Sequence, residues 1–148
     1  MRQFFFTIFI FAFTNGFAQN NATFWVKSDT LNTSRRNAII IGETAAASMT
    51  LIGLDRLWYA EYPRSGFHFT NDNNQWLQMD KIGHAMSTYY LGFLGMELLD
   101  WAGVGKKNQL IYGATAGFTF ATAVEVLDGF SEEWGFSWGD VAANAAGT

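Results

Sequence analysis

Charged and polar residues in the second half of the chain form three short clusters, each set within an otherwise apolar segment. Their side chains belong to Asp80, Lys81, His84, Glu125, Asp128, Ser137, Asp140 and Asn144. Burying an unpaired charge is costly, so charges inside apolar segments should pair with one another or face a wet cavity. The spacing therefore predicts one polar site assembled from several helices.

The composition supports a large apolar core or contact with lipid, and it excludes several functional classes. The 148 residues are 49% hydrophobic and 15% charged, whereas an ordinary soluble domain is about 25% charged. The net charge of −4 argues against nucleic acid as a partner, because phosphate binding needs a basic face. The sequence has no cysteine, which excludes disulfides, thiolate chemistry and cysteine-based zinc sites.

The first 18 residues have the pattern of a signal peptide. Arg2 gives a positive start, residues 4–13 are almost wholly apolar, and residues 16–18 form a small-x-small cleavage pattern. An uncleaved anchor is the alternative, but the apolar run is short for a span of about 20 residues. Residues 19–33 form a polar lead-in, and localisation is expected in the cell envelope, either the inner membrane or the periplasm.

The remaining residues, 34–148, are predicted to form one all-α domain, a small bundle of three to four apolar helices. Ser34 is a candidate cap for a helix over residues 37–59, and residues 66–75 read as a loop by composition. Further helices are predicted over residues 80–101, over 108–127 and from about Ser137 onwards. Ser137 and Asp140 have capping-box spacing, in which the hydroxyl can accept from a backbone N–H and the carboxylate sits at the positive end of the helix. No strand alternation is present.

Two environments fit these helices. The apolar stretches 38–54, 85–99 and 110–127 are near the length needed to span a membrane. Each stretch contains one acid, Glu43, Glu97 or Glu125, which is tolerable when it faces a bundle interior. Gly113 and Gly117 have the spacing that permits close helix approach in membranes. A membrane-embedded or membrane-associated bundle is favoured over a compact soluble one.

The first cluster suggests acid–base chemistry. Asp80 and His84 are four residues apart and share a helix face, with Lys81 beside them. An Asp–His pair can orient the imidazole and raise its basicity, so His84, Asp80, Lys81 and Glu125 are candidate catalytic residues. The alternative is that Asp80 caps the helix and His84 is a core histidine.

The other two clusters suggest a cation site. Glu125 and Asp128 share a face, and with Asp140 they could bind a divalent cation. In the alternative, Asp128 ends a helix and pairs with a lysine. Ser137 and Asn144 are further polar site residues, or else form a helix cap and a packing contact, since a buried amide needs partners at both ends.

The order and spacing of these motifs resemble the YfiM-like family of predicted periplasmic lipoproteins, and are similar to VanZ-like membrane proteins. The matching pattern comprises Asp80-Lys81-x-x-His84, Glu125-x-x-Asp128-Gly129, and Ser137-x-Gly139-Asp140-x-x-x-Asn144. The resemblance implies a helical envelope protein with a shared polar site, in a domain that continues past Thr148 in family members. Asp128 stands where the VanZ-like pattern tends to have Gln, and no cysteine is present for a lipid anchor.

Two functions remain open at this stage. In the first, a non-catalytic envelope protein uses the buried polar network to fix helix packing or to bind a ligand, with membrane lipid or an envelope component as partner. In the second, a metal-dependent or acid–base enzyme acts on a lipid-linked or cell-wall substrate. In that case His84 would be the base, the carboxylates would bind a cation, and Lys81 would neutralise phosphate.

Overall fold

The computed structural model describes residues 24–148, and it is mostly helical. The predicted signal peptide over residues 1–18 lies outside the described residues. The described part of the lead-in is held against the molecule: Ser28 N–H donates to Trp101 O (3.2 Å) and Asn32 N–H donates to Ala102 O (2.8 Å).

The first long helix, α1, spans Thr33–Gly53 and continues through a wide turn, Leu54–Trp58, into a short 3-10 turn, Tyr59–Glu61. Its cap is Asn32, whose side chain accepts from Arg35 N at 3.0 Å, so the assignment of the cap to Ser34 is wrong. The helix consequently begins four residues before the predicted start at residue 37. Polar caps of this kind satisfy backbone N–H groups that have no partner within the helix.

The second helix, α2, spans Met79–Trp101 and ends as predicted. Gly103 follows with a φ of +74°, which an L side chain rarely adopts. A Cβ atom there would lie 2.3 Å from Thr30 O, so glycine at this position also allows the lead-in segment to pack against the turn. Beside this turn lies a small apolar core of Ile39, Leu99, Ala102 and Val104.

A third helix packs closely against α2. The chain forms one turn over Lys106–Asn108, a wide-turn segment over Gln109–Ala114, and then α3 over Thr115–Asp128. A Cβ atom on Gly117 would lie 2.4 Å from Thr88 O of α2. Glycine at this position therefore permits the backbone contact between the two helices.

Two short strands join parts of the chain that the sequence assigned to loops. Strand β1, Phe69–Thr70, pairs in parallel with β2, Phe136–Ser137. The expectation of no strands is corrected here, because a two-residue ladder is too short to show alternation in sequence. Directly upstream of each strand, Ser65 N–H donates to Phe130 O (3.0 Å) and His68 N–H to Gly129 O (2.9 Å). The last helix, α4, spans Trp138–Ala146.

Two helical stretches of the described chain, Thr33–Glu61 and Lys106–Asp128, are long and apolar enough to cross a membrane. This statement rests on length and composition alone. In the most apolar window of these stretches, only 6% and 22% of the residues are buried inside the protein.

Candidate functional site

His84 lies one turn and a half into α2, where its ring is held from one side. Nδ1 lies 3.0 Å from Oδ1 of Asn144, and the Thr88 hydroxyl donates to the same oxygen at 3.2 Å. Thr88 and Asn144 are both fully buried. Because an amide oxygen can only accept, we assign the proton to Nδ1 from this partner. The other ring nitrogen, Nε2, is then the one that faces the rest of the site.

Three carboxylates from three helices surround Nε2 of His84. Glu125 Oε1 lies 3.4 Å away, Asp80 Oδ1 3.7 Å and Asp140 Oδ1 3.8 Å. Glu125 and Asp140 are 1% and 3% exposed, whereas Asp80 is half exposed. The predicted pairing of Asp80 with His84 on one helix face thus occurs within a larger group. The three distances are too long for good hydrogen bonds.

Lys81 forms the centre of a neighbouring ion-pair network. Its Nζ lies 2.6 Å from Asp72 Oδ1, 2.7 Å from Asp140 Oδ1 and 3.3 Å from Asp80 Oδ2. Burial alone would lower the pKa of Lys81, but the carboxylates of Asp140 and Asp72 outweigh it and raise the pKa above its ordinary value. Lys81 therefore remains charged, and its charge is paired with carboxylates of the protein itself.

The same network shifts the two acids in opposite directions. Burial raises the pKa of Asp140 above its ordinary value, even with Lys81 and Ser137 opposing the shift. Burial also acts on Asp72, but the Lys81 ammonium and the Ser137 hydroxyl outweigh it and lower the pKa of Asp72. The less buried carboxylate is thus the better stabilised anion.

Ser137 connects α4 to this network and to α3. Its hydroxyl accepts from Asp140 N at 3.2 Å and donates to Asp72 Oδ1 at 2.7 Å. Its own N–H donates to Glu125 Oε2 at 3.2 Å. The predicted cap is confirmed, with the Ser137 hydroxyl accepting a backbone N–H and Asp140 in the first turn of α4. The Asp140 carboxylate also pairs with Lys81.

Asp128 lies at the end of α3 and is held by an aromatic hydroxyl. Tyr59 donates to Asp128 Oδ1 at 2.6 Å. The partner of Asp128 is therefore this tyrosine and not the lysine that the sequence suggested as the alternative. Of the predicted metal residues Glu125, Asp128 and Asp140, only Asp140 belongs to the group of potential ligand atoms that lie within 4.8 Å of one another in the described chain. The other two members of that group are Asp80 and His84.

These side chains border one pocket of about 160 Å³. Its lining residues include Asp72, Asp80, His84, Glu125, Asp128, Glu133, Trp134 and Asp140. Lys81, Ser137 and Asn144 contact this lining from behind. All eight residues singled out from sequence are therefore brought to one place, although this geometry does not by itself assign them a chemical role.

Sequence reasoning missed Asp72 and Tyr59. Asp72 lies in the segment that composition marked as a loop, and it reaches the site because β1 pairs with β2 just before it. A signal was available: Phe67 and Phe69 alternate in the same way as Phe136 and Trp138. These aromatic rings pack together, with Phe69 5.5 Å from Phe136 and 6.3 Å from Trp138 between centroids.

A family model described as predicted periplasmic lipoprotein (DUF2279) matches residues 66–148, which is more than half of the chain and contains the whole cluster from Asp72 to Asn144. Comparisons with curated proteins and with solved structures returned no significant match. The family description agrees with an exported protein of the cell envelope, located in the periplasm. The sequence itself contains no cysteine to carry a lipid. The chain belongs to the DUF2279 family of predicted periplasmic lipoproteins.

Proposed function

We propose that this protein is a membrane-embedded component of the cell envelope, and that its polar pocket is a non-catalytic binding site at one end of the helices. The observation that carries the membrane part is the exposure of α1. Among its 21 residues only Ile39 is buried, while Ile40 and Ile41 are 51% and 69% exposed. A helix that is apolar around its circumference needs either a protein core or lipid. Because protein covers so little of α1, lipid is the environment that fits.

The exposed faces of the other long helices support the same environment. Tyr89, Tyr90 and Phe93 of α2 are 55%, 60% and 49% exposed, as are Ile111 and Tyr112 (45% and 67%) in the segment before α3. Soluble monomers rarely expose contiguous apolar patches of more than a few hundred Å². Charged residues are concentrated at the ends of these helices, as expected when the middle lies in hydrocarbon.

Glu43 is an acid in the middle of α1 that needs a separate explanation. It lines the groove between α1 and the segment before α3, together with Arg36 and Asn108. Intramembrane acids are tolerated where they face the interior of a bundle or a polar cavity. Its position is therefore compatible with lipid around the outer face of α1.

The internal pairing of the polar residues supports a role in structure or binding. Lys81 of α2 joins Asp72 of the loop to Asp140 of α4, and Glu125 of α3 receives the N–H of Ser137. Four parts of the chain are thus fixed around one pocket. Satisfied polar networks of this kind hold elements in one arrangement.

Cell fractionation tests the membrane part. We expect the full-length protein to sediment with membranes and to remain there after a carbonate wash. Ile41→Asp should reduce the membrane-bound fraction, because an acid within hydrocarbon costs about 2.5–3.5 kcal/mol on insertion scales. Ile41→Leu is the matched control. Release of the wild type by osmotic shock, or equal behaviour of both variants, contradicts the proposal.

A second candidate function is an acid–base enzyme acting on a lipid-linked or cell-wall substrate, as similarity to VanZ-like proteins would suggest. One observation favours it: in the tautomer set by Asn144, Nε2 of His84 is free to accept a proton. Incubation of purified protein with a lipid-linked cell-wall precursor, followed by mass spectrometry, tests this function. Turnover lost in His84→Gln would support it, and no turnover by folded wild type would remove it.

A further inference from the structure

The arrangement around Nε2 of His84 has an unusual charge balance. With the Nδ1 proton directed at Asn144 Oδ1 (3.0 Å), neutral His84 presents a lone pair to Glu125, Asp80 and Asp140. Four electron-rich atoms that face one another repel unless a proton or a metal cation lies between them. The pocket lining contains six carboxyl groups and one imidazole, and no lysine or arginine.

Three of these side chains are close enough to one another to share one metal ion. His84, Asp80 and Asp140 each offer a ligand atom within 4.8 Å of those of the other two, and Nε2 lies 3.7 and 3.8 Å from the Asp80 and Asp140 oxygens. Two tetrahedral ligands that are each about 2.1 Å from an ion are about 3.4 Å apart. A bound ion would therefore draw these side chains closer together.

Asp140 provides an independent indication. Its Oδ1 atom is buried and receives no hydrogen bond of good geometry, although Lys81 Nζ forms an ion pair with it at 2.7 Å. A buried carboxylate oxygen normally has a hydrogen-bond donor. Lys81 is also held by Asp72 at 2.6 Å, so it keeps a carboxylate partner if Asp140 turns toward a metal.

The surroundings of His84 match those of metal-binding histidines. Such histidines donate their second ring N–H to an oxygen, which fixes the ring and its tautomer. Here Asn144 provides that oxygen, and Thr88 holds the Asn144 side chain through a 3.2 Å hydrogen bond. Both residues have no solvent exposure, so the orientation of the ring is set before any ligand arrives.

We propose that His84 Nε2, Asp80 and Asp140 bind one divalent transition-metal ion, which is the ligand of the pocket, and that Glu125 lies beside this site. An imidazole with carboxylates favours zinc or a similar ion over magnesium and calcium, which prefer oxygen ligands alone. The ligand set differs from a Glu125, Asp128 and Asp140 site, because Asp128 is occupied by Tyr59. This inference rests on the proposed binding function of the pocket.

Calorimetry on the full chain tests this inference. Detergent-solubilised protein is stripped with chelator and titrated with zinc chloride, and bound metal is counted by elemental analysis. We expect one zinc per chain. Loss of a residue that only hydrogen-bonds to a metal ligand typically lowers metal affinity about 10- to 100-fold. Loss of a ligand itself should lower the affinity at least as much, and we expect this in both His84→Gln and Asp80→Asn. Glu132→Gln, an exposed carboxyl on the neighbouring loop, is the matched control and should bind as the wild type does.

Asp80→Asn keeps the test valid if His84→Gln fails to fold, because Asp80 is half exposed. Cobalt provides a second measurement, since its visible spectrum reports nitrogen and oxygen ligands and should change in Asp80→Asn. Folded wild type that binds neither metal overturns the proposal. Equal affinity in the Asp80 and Glu132 variants overturns it as well. The fractionation result does not depend on metal, so failure here leaves the membrane proposal standing.

Discussion

The two ends of α2 differ in how their polar and charged groups are paired. We call one the basic end; it comprises Lys27, Arg35, Asp100 and Gln109. We call the other the acidic end; it comprises Asp72, Lys81, His84, Glu125 and Asp140. The ends are separated by about 30 Å, the length of a 20-residue helix.

At the basic end the one carboxylate has more than one donor. Asp100 Oδ1 receives Lys27 Nζ at 2.7 Å and Gln109 Nε2 at 2.8 Å. These two donors hold the pKa of Asp100 below its ordinary value. The guanidinium of Arg35 lies 4.3 Å from the centre of the Trp101 ring. The result is a closed junction of the lead-in, α1 and α2, without a surplus of negative charge.

At the acidic end the carboxylates outnumber the cations. Lys81 serves both Asp72 and Asp140, while His84 meets three acids at 3.4–3.8 Å. At the basic end each of the named groups has a partner, so the pairing accounts for a structural role only. The surplus of negative charge at the acidic end is what makes it a candidate binding site. The comparison predicts that substitutions of similar type should have unequal effects at the two ends.

The largest expected effect is that of Lys81→Met. Its side chain is 14% exposed and that of Asp140 5%, so the substitution leaves buried carboxylates without their cation. Loss of one member of a buried pair costs about 3–5 kcal/mol. Chemical denaturation in detergent, monitored by circular dichroism, measures the free energy of unfolding. A loss below about 1 kcal/mol would mean that the network behaves like a surface ion pair.

The next effect is expected at the basic end, from Gln109→Leu. The Gln109 side chain is 3% exposed and donates to Val104 O at 2.6 Å and to Asp100 Oδ1 at 2.8 Å. A buried acceptor that loses its donor costs about 1–3 kcal/mol. The matched control is Gln75→Leu, an exposed glutamine at the acidic end that should change stability by less than about 0.5 kcal/mol. Equal losses in the same denaturation assay would contradict the assignment.

Local sequence rules predicted the helices better than they predicted the loops that complete the site. The end of α2 at Trp101 and the cap of α4 at Ser137 follow from glycine and hydroxyl signals close by in sequence. Asp72 could not be placed in this way, because its position depends on pairing between residues 69–70 and 136–137. Alternation of aromatic residues at 67 and 69 and at 136 and 138 is the local signal, and it is too short to predict a strand by periodicity.

The site was partly predictable for a related reason. Helical spacing puts Asp80 beside His84, and the observed separation is 3.7 Å. Spacing cannot say which carboxylate a cap will use. Glu125 receives the Ser137 N–H, and the Tyr59 hydroxyl donates to Asp128. These partners come from distant parts of the chain, so only the tertiary structure identifies them.

The two N-caps allow a smaller comparison between the ends. Ser137→Ala removes both the cap to Asp140 N and the hydrogen bond to Asp72, and we expect a loss of about 2 kcal/mol. Asn32→Ala removes the single cap to Arg35 N and should cost about 1 kcal/mol. Ser137→Thr retains the hydroxyl and should recover most of the loss. Equal losses in the two alanine variants would mean that the Asp72 contact adds nothing.

The smallest effect is expected from Lys27→Met. This lysine is 59% exposed, and its partner Asp100 still receives Gln109. Exposed ion pairs often add nothing measurable, because solvent screens them and ordering two side chains costs entropy. We therefore expect a melting temperature equal to that of the wild type within error, in contrast to Lys81→Met. A clear loss would show that the basic end also depends on ionic pairing. The distinction between a closed junction and a site with surplus negative charge would then fail.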